Sequence, residues 1–423
     1  MAKKILTLDI GAANIALAEY ELGAKGDLTL LNYGTAALAA PIDTGDAATI
    51  LSPALLELVR EKGFKPGDVA VSVSGQMVFP RIAAIPAVGG DDKFEQNIRY
   101  EIEQNVPFPI DEMVCDRQVL GDTEQGDKSV LIVAAKIDQV EQITTAVASV
   151  GFLPELVDTA PLALVNALRA ARPDEGCVVI LDIGAKTTSL AIAEGDRIYN
   201  RSVPVAGNAI TKEIATALGC TADEAEQVKL EKGYVAAGGV TEDEDEVADR
   251  ASKACRAVLT RLNAEISRSI NFYRSQQGGS TPAKLYLTGG SAQLPQIDEF
   301  FAESLGIEVE FLNPFEAIDI GPKVDSEALG ADGAQIAATA GLVLRLADRA
   351  QFAVNLLPPS LVEDRAEKAK IPFVAAAGVL LSLGLVLVML AVNRETAVLE
   401  ARRDAIKTRA DALAAADKKV ADA

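Results

Sequence analysis

The chain contains 423 residues, no histidine and no tryptophan, and its formal net charge is −21. Without histidine it has no Ser/His/Asp or Cys/His catalytic group and no imidazole metal site. The acidity and the lack of tryptophan argue against a nucleic-acid partner. The 4 cysteines form no CxxC pair, which is typical of reduced thiols in a cytosol.

The first part of the chain alternates β-rich and helical stretches, which predicts a mixed α/β domain. The sequence predicts strands at residues 4–9, 14–20, 69–74 and 130–135. It predicts helices at residues 52–62, 91–105, 139–150 and 162–171. Pro107 and Pro109 end the second of these helices.

At Cys177 the pattern restarts. An apolar strand leads into Leu-Asp-Ile-Gly-Ala at 181–185, the same five residues as at 8–12. An identical strand-turn peptide indicates two halves with one internal plan. The acidic run 241–246 is predicted to be a solvated helix start. The other elements predicted in the second half are strands at 189–193 and 283–287 and helices at 206–218, 222–232 and 251–274.

Residues 371–392 contain no charged side chain. As a helix they would measure roughly 33 Å, enough to cross a hydrocarbon core of about 30 Å. A core helix of a globular domain would instead carry a polar stripe. Arg365, Lys368 and Lys370 precede this predicted transmembrane helix, and only Arg394 lies close behind it. This asymmetry predicts a single-pass protein whose N-terminal part is cytoplasmic.

A polar linker at 351–370 precedes the predicted span, and an Ala-rich, charged helix at 393–423 follows it as an extracytoplasmic stalk. Apolar residues recur at every seventh position of the stalk, namely Leu399, Ile406, Leu413 and Val420. They form half of a heptad seam. The pattern fits either a self-associating coiled coil or a lone solvated helix.

Each Asp-Ile-Gly turn brings a carboxylate to a strand end, and glycine then lets the backbone fold back sharply. Successive backbone N–H groups of such a turn can hold phosphate oxygens. Two opposing turns therefore predict a polyphosphate clamp, with Asp9 and Asp182 bound through water to Mg²⁺. The predicted phosphate-binding residues are Gly11, Ala12, Ala13, Asn14, Gly184, Ala185, Lys186, Thr187 and Thr188.

A third turn, Gly289-Gly290-Ser291, follows the strand at 283–287. It suits the adenosine side of a nucleotide, because absent side chains leave room for a flat base. The order Asp-Ile-Gly, Asp-Ile-Gly-Ala-x-Thr-Thr, Gly-Gly resembles the actin, sugar-kinase and heat-shock-chaperone ATPase superfamily. Within it, the chain is similar to the PilM family, the cytoplasmic actin-like proteins of type IV pilus assembly. The most specific stretches are 100–110, 225–229 and 265–273.

The resemblance implies an α/β, actin-like (ribonuclease H-like, duplicated) two-lobed ATPase fold over residues 1–350, followed by the transmembrane helix and stalk. It places lobe I at about 1–170 plus 318–350 and lobe II at about 171–317. It implies ATP and Mg²⁺ as ligands, with Glu226 and Lys229 facing the ribose and base. A surface salt bridge is the alternative interpretation of that pair.

The element Asn355-Leu356-Leu357-Pro358, followed by a basic collar and a span, resembles the N-terminus of PilN. In that family an Asn-Leu-Leu-Pro element docks in a groove of PilM, so the chain resembles a PilM head fused to the start of a PilN. The implied partners are the lipid bilayer, PilN- or PilO-like proteins and assembly ATPases. Self-association through the 355–358 element and the stalk is a further expectation.

These features predict a nucleotide-binding scaffold of a type IV pilus-type assembly machine in the bacterial inner membrane. ATP–Mg²⁺ would act as a conformational ligand that controls docking. The main alternative is the GspL-type component of type II secretion, which natively joins an actin-like head to a span. A sugar or acetate kinase has no use for a span, and an FtsA-like division protein meets the membrane through a short amphipathic helix.

The first turn departs from the pattern of the PilM family. Ala12 and Ala13 replace hydroxyl residues, and Ala16 stands where a lysine is expected. One lost charge-assisted contact weakens phosphate binding roughly 10- to 100-fold. Asp158, just before a predicted helix, is the candidate for a water-activating acid. The sequence therefore predicts at most a slow ATPase.

Overall fold

The structure is a computed structural model that describes residues 2–88, 90–106, 108–123, 125–236 and 245–421. Pro107 and most of the predicted acidic run 241–246 lie outside the described residues, as do the side chains of Lys368 and Val420. The chain divides into two compact units, Met1–Pro358 and Pro359–Ala423. The first unit is called the head below.

The head contains a six-stranded sheet that begins with an antiparallel hairpin and continues with parallel strands. The hairpin forms because glycine at position 11 closes a tight turn between two apolar strands. The strands, in spatial order, are β14 (Asp319–Ile320), β3 (Leu28–Ala37), β2 (Asn14–Leu22), β1 (Lys3–Ile10), β4 (Asp68–Val73) and β8 (Leu153–Thr159).

A second, five-stranded sheet repeats this plan. Its β9–β10–β11 meander is antiparallel, and β12 runs parallel to both β9 and β13. The two sheets thus share one strand order, which confirms the predicted duplicated, actin-like α/β fold. The strands, in spatial order, are β11 (Arg197–Val203), β10 (Thr188–Glu194), β9 (Val178–Ile183), β12 (Lys284–Thr288) and β13 (Glu308–Phe311).

A small antiparallel sheet interrupts the first half of the head. It consists of β5 (Val78–Ile85), β7 (Lys128–Lys136) and β6 (Met113–Asp122), in that order. Its apolar face packs against Ile98 and Ile102 of the helix Asp91–Asn105. This core is separate from the cores of the two larger sheets, so the insertion forms a subdomain of its own.

Helices cover the sheets of the head. They begin at or near capping residues, as Asp46, Thr159, Thr221 and Asp245 show by accepting backbone N–H bonds. The helices are α1 (Ala47–Lys62), α2 (Asp91–Asn105), α3 (Ile137–Ser149), α4 (Ala160–Ala171), α5 (Gly207–Leu218), α6 (Ala222–Lys232), α7 (Glu246–Gln276), α8 (Ile297–Leu305), α9 (Ser326–Asp332) and α10 (Ala337–Leu346).

Helix α4 lies at the centre of the head, because it contacts strands of both large sheets. It packs against α10 at a point where Gly341 of α10 faces the backbone of Ala163. A Cβ atom at Gly341 would overlap the Ala163 carbonyl oxygen, well inside the 3.0 Å that real Cβ atoms keep. Glycine at this position therefore sets how closely the two central helices approach each other.

The second unit is one continuous helix, α11 (Pro359–Ala421). Its described apolar side chains between 379 and 392 are exposed, so it is not a core helix of a globular domain. The stretch Ala376–Ala415 is long and apolar enough to cross a membrane. Of the predicted linker 351–370, the residues up to Pro358 belong to the head and the rest belong to this helix.

Candidate functional site

The two Asp-Ile-Gly turns meet in one cleft of the head. Asp9 is the second-last residue of β1, Asp182 is the second-last residue of β9, and both line this cleft. Of the predicted phosphate-binding and adenosine-binding residues, those that also line it are Gly11, Ala12, Ala13, Asn14, Gly184, Ala185, Lys186, Thr187, Gly289 and Gly290. The fold therefore brings together segments that are far apart in the chain.

The two turns have the same backbone geometry. Gly11 N donates to Asn14 O at 3.0 Å, and Gly184 N donates to Thr187 O at 3.2 Å. A Cβ atom on Gly11 would lie 2.9 Å from Asn14 O, and one on Gly184 would lie 3.0 Å from Thr187 O. Glycine is thus favoured at the same position of both turns, in agreement with the internal repeat.

The pKa values of the two aspartates of the cleft are raised towards neutral pH. Burial raises the pKa of Asp9 to about 6, although Ser72 Oγ donates to its Oδ1 at 2.5 Å and lowers that pKa. Burial and the nearby Asp9 raise the pKa of Asp182 to about 7. Two facing carboxylates of this kind are stabilised by a cation, because their ionised forms repel each other.

Asp9 and Asp182 fit a magnesium ion whose other ligands are waters and phosphate oxygens. Among the described residues, no group of three or more Asp, Glu, Cys or His side chains is placed to hold a metal. Mg²⁺ commonly binds through one or two carboxylates together with waters and phosphate oxygens. Asp9 and Asp182 would hold the ion there, and the ion would supply positive charge to phosphate oxygens.

We expect the affinity for ATP–Mg²⁺ to fall about tenfold between about pH 8 and pH 5.5. Protons compete with the cation for Asp9 and Asp182, whose raised pKa values lie within this range. Titration calorimetry at several pH values measures the change. The affinity for adenosine, which involves neither carboxylate, serves as the control. An ATP–Mg²⁺ affinity that is constant down to pH 5.5 would contradict the prediction.

A second pocket adjoins the cleft, and both are lined by Ala13, Ala185 and Gly290. Glu226, Lys229 and Ser291, all predicted to bind adenosine, line this second pocket. The cleft is small and polar, and the second pocket is larger. Together they can hold one elongated ligand.

Glu226 and Lys229 also form a salt bridge, with 2.7 Å between Lys229 Nζ and Glu226 Oε2. Thr211 Oγ1 donates to Glu226 Oε2 at 2.5 Å. The surface-salt-bridge interpretation and the pocket interpretation are therefore compatible, since the same side chains pair with each other and line the pocket.

The third turn supports the phosphate turn of the second half. Gly289 has a φ of +90°, and a Cβ atom there would overlap the Asp182 carboxylate. Ser291 Oγ donates to Gly184 O at 2.9 Å. The turn thus leaves room for the Asp182 carboxylate, binds Gly184 and borders the second pocket.

Three predicted site residues have surroundings that differ from those expected of a phosphate-binding or catalytic residue. Thr188 does not line the cleft; it is buried, and its hydroxyl donates to Val205 O at 2.6 Å. Asp158 also lies outside the cleft lining, fully buried at the end of β8. Lys186 lines the cleft, but its ammonium pairs with Asp43, which follows β3 of the other large sheet.

Sequence reasoning missed several polar residues of the cleft. Ser74, Ser189 and Gln335 all line it. Asn14 Nδ2 donates to Gln335 Oε1 at 2.8 Å, which orients the Asn14 amide. Ser189 could have been found from the repeat, since it faces Asp182 in β10 as Ala16 faces Asp9 in β2.

Residues 351–358, called the tail segment below, belong to the head. Side chains of β6 bind its backbone. Ala353 N donates to Gln118 Oε1 at 2.7 Å, and Asn355 N donates to Asp116 Oδ2 at 2.7 Å. The tail segment is therefore held by specific hydrogen bonds along one side.

The end of β8 binds the tail segment on its other side. Leu356 N donates to Val157 O at 2.7 Å, and Val157 N donates to Asn355 Oδ1 at 3.1 Å. Phe352, Val354 and Leu356 are fully buried. The predicted docking element thus contacts the head of its own chain.

A family model described as type IV pilus assembly protein PilM matches residues 7–347. Among solved structures, a PilM–PilN type IV pilus biogenesis complex is similar over 81% of this chain and 98% of its own, with 29% identity and a TM-score of 0.68. The nucleotide-free diol dehydratase-reactivating factor shows the fold alone, with 12% identity, a TM-score of 0.50, and coverage of 82% of this chain and 100% of its own.

Curated relatives include cell division proteins FtsA. The protein from Agrobacterium fabrum is 28% identical over 167 residues, 35% of this chain and 38% of that relative, so the match spans well under half of its length. The protein from Pseudomonas aeruginosa is 23% identical over 348 residues, 74% of this chain and 84% of that relative. These FtsA proteins are distant, whereas the family model covers most of the head. The chain belongs to the PilM family of type IV pilus assembly proteins.

Proposed function

We propose that this protein is a nucleotide-binding scaffold of a pilus assembly machine, in which ATP–Mg²⁺ changes the conformation of the head. The nucleotide acts as a ligand, and the tail segment responds to it. The observation that carries this proposal is the convergence of two Asp-Ile-Gly turns and a Gly-Gly turn on one cleft.

The composition of the cleft supports a phosphate ligand with magnesium. Successive backbone N–H groups of turns of this kind can hold phosphate oxygens, and both turns line the cleft. Asp9 and Asp182 supply the negative charge that a cation would neutralise. Lys186 is the one predicted cationic contact, and in this structure Asp43 binds it.

The cleft offers little for hydrolysis. Its first turn carries Ala12 and Ala13 in place of hydroxyl residues. Asp158, the candidate for a water-activating acid, is fully buried and does not line the cleft. We infer that hydrolysis is slow or absent and that nucleotide binding itself is the functional event.

The tail segment supports a docking role within the same chain. It resembles the docking element of PilN, and here it fills a groove formed by β6, β8 and α4. The head would then lie on the cytoplasmic side of the bacterial inner membrane, and α11 would cross it. Partners would be PilN- or PilO-like proteins and assembly ATPases. Protease digestion of spheroplasts that removed the head from outside would refute this orientation.

The nucleotide site is tested by replacing Asp182 with asparagine. We expect Asp182→Asn to weaken ATP–Mg²⁺ binding about 10- to 100-fold, because one charge-assisted contact is lost. Calorimetry on the full chain in detergent gives the affinity. Asp174→Asn is the matched control, since it removes the same charge from an exposed position away from the cleft. Equal affinities of the two variants would refute the site.

A further inference from the structure

Helix α4 touches both the nucleotide cleft and the tail segment. Near its N-terminus, Ala160 and Leu164 line the cleft. Only two residues beyond Leu164, Asn166 binds the tail segment. The two sites are therefore less than one turn apart along this helix.

Asn166 holds the tail segment in the way a neighbouring strand would. Its Oδ1 accepts from Phe352 N at 2.8 Å, and its Nδ2 donates to Phe352 O at 2.9 Å. The side chain is fully buried. Breaking this pair would leave four polar groups without partners inside the head, so Phe352 has to follow a movement of α4.

The packing around α4 makes it move as one body. The Gly341 contact fixes its distance from α10, whose residues Ala337 and Ala338 also line the cleft. A close-packed helix cannot deform by small amounts at one end, so a displacement at the cleft is carried along it. The end of β8, which binds Asn355 and Leu356, leads directly into the same helix.

We propose that α4 is the element that transmits the state of the nucleotide cleft to the tail segment, with Asn166 as the positioning residue that links them. The inference rests on the proposed function, because it requires that the nucleotide affect the tail segment at all. The inference specifies that the coupling runs through α4 and not through the three-stranded sheet.

The chain offers a matched pair of variants for this test. Asn166 and Gln118 each form two hydrogen bonds with the backbone of the tail segment, but Gln118 lies on β6 of the small sheet. Asn166→Ala and Gln118→Ala therefore remove equal numbers of contacts, and only the first cuts the link through α4. Asn166→Leu also removes both hydrogen bonds but keeps a side chain of similar size, so it serves as a second variant if alanine prevents folding.

The measurement is hydrogen exchange of the tail segment in the full chain, in detergent, with and without saturating ATP–Mg²⁺. Both alanine variants should exchange about tenfold faster than wild type without nucleotide. We expect Gln118→Ala to keep the wild-type ratio of exchange rates with and without ATP–Mg²⁺. We expect Asn166→Ala and Asn166→Leu to bring that ratio close to one.

An unchanged ratio in both Asn166 variants would overturn the role of α4. If Gln118→Ala also brought the ratio of exchange rates close to one, the role of α4 would be overturned too. Any weakening of the contacts of the tail segment would then abolish its response to ATP–Mg²⁺. A wild-type ratio of one would instead refute the proposed nucleotide control itself, and with it the inference.

Discussion

Replacing Gly341 with alanine is expected to destabilise the head by more than about 3 kcal/mol or to prevent its folding. The added methyl group would overlap the backbone oxygen of Ala163, and neither α4 nor α10 can yield without disturbing the sheets they cover. Backbone atoms cannot rotate away as a side chain can. The central helix pair would have to separate along its whole length.

Tyrosine fluorescence in a urea titration measures this effect on the full chain. All 7 tyrosines precede residue 287 and the chain has no tryptophan, so the signal reports on the head. The control is Gly330→Ala in α9, where a Cβ atom would have no neighbour within 4 Å. Helix propensity predicts that this control is neutral or about 1 kcal/mol more stable than wild type. Equal urea midpoints for the two variants would contradict the packing argument.

Replacing Asp158 with asparagine is expected to stabilise the protein at neutral and alkaline pH by up to about 4 kcal/mol. Burial raises the pKa of Asp158 to about 7, and the neighbouring Asp116 adds to this shift. Its Oδ2 atom has no hydrogen-bond partner. The unfolded chain releases this proton near its ordinary pKa of 3.8, whereas the folded chain retains it up to about 7.

The unfolded state therefore binds fewer protons than the folded state between these two pKa values, and the stability of wild type falls as pH rises through them. The asparagine side chain of the variant does not titrate. The difference in unfolding free energy between Asp158→Asn and wild type should grow from near zero at about pH 4 to its full value above pH 7. Asp9 and Asp182 remain in both proteins, so the difference isolates position 158. A difference that does not vary with pH would contradict the assignment.

The sequence was sufficient to predict the duplicated fold and most of the cleft. The repeated Leu-Asp-Ile-Gly-Ala peptide is a local signal, and each copy fixes a strand, a turn and a carboxylate together. The Gly-Gly turn follows an apolar strand and is equally local. Short strand-turn peptides such as these determine their own backbone geometry, so they can be recognised without knowing the rest of the fold.

The rest of the site depends on contacts between distant parts of the chain. Asn166 and Phe352 are 186 residues apart, and no local pattern distinguishes this asparagine from a solvated one. Thr188 has the residue type of a phosphate contact. Its hydroxyl instead donates a hydrogen bond to Val205 O, because the fold brings that carbonyl next to it. Asp158 has the residue type of an acid catalyst, but the fold buries it fully, and it does not line the cleft.

The uninterrupted helix Pro359–Ala421 has a mechanical consequence. At about 1.5 Å per residue its 63 residues form a rod of roughly 95 Å. Proline is a main cause of sharp kinks in helices, and the sequence contains no proline after Pro372. A torque applied near Phe373 would therefore turn Leu413 through a similar angle. Rotation is thus a movement that this helix can pass from one end to the other without any change in its length.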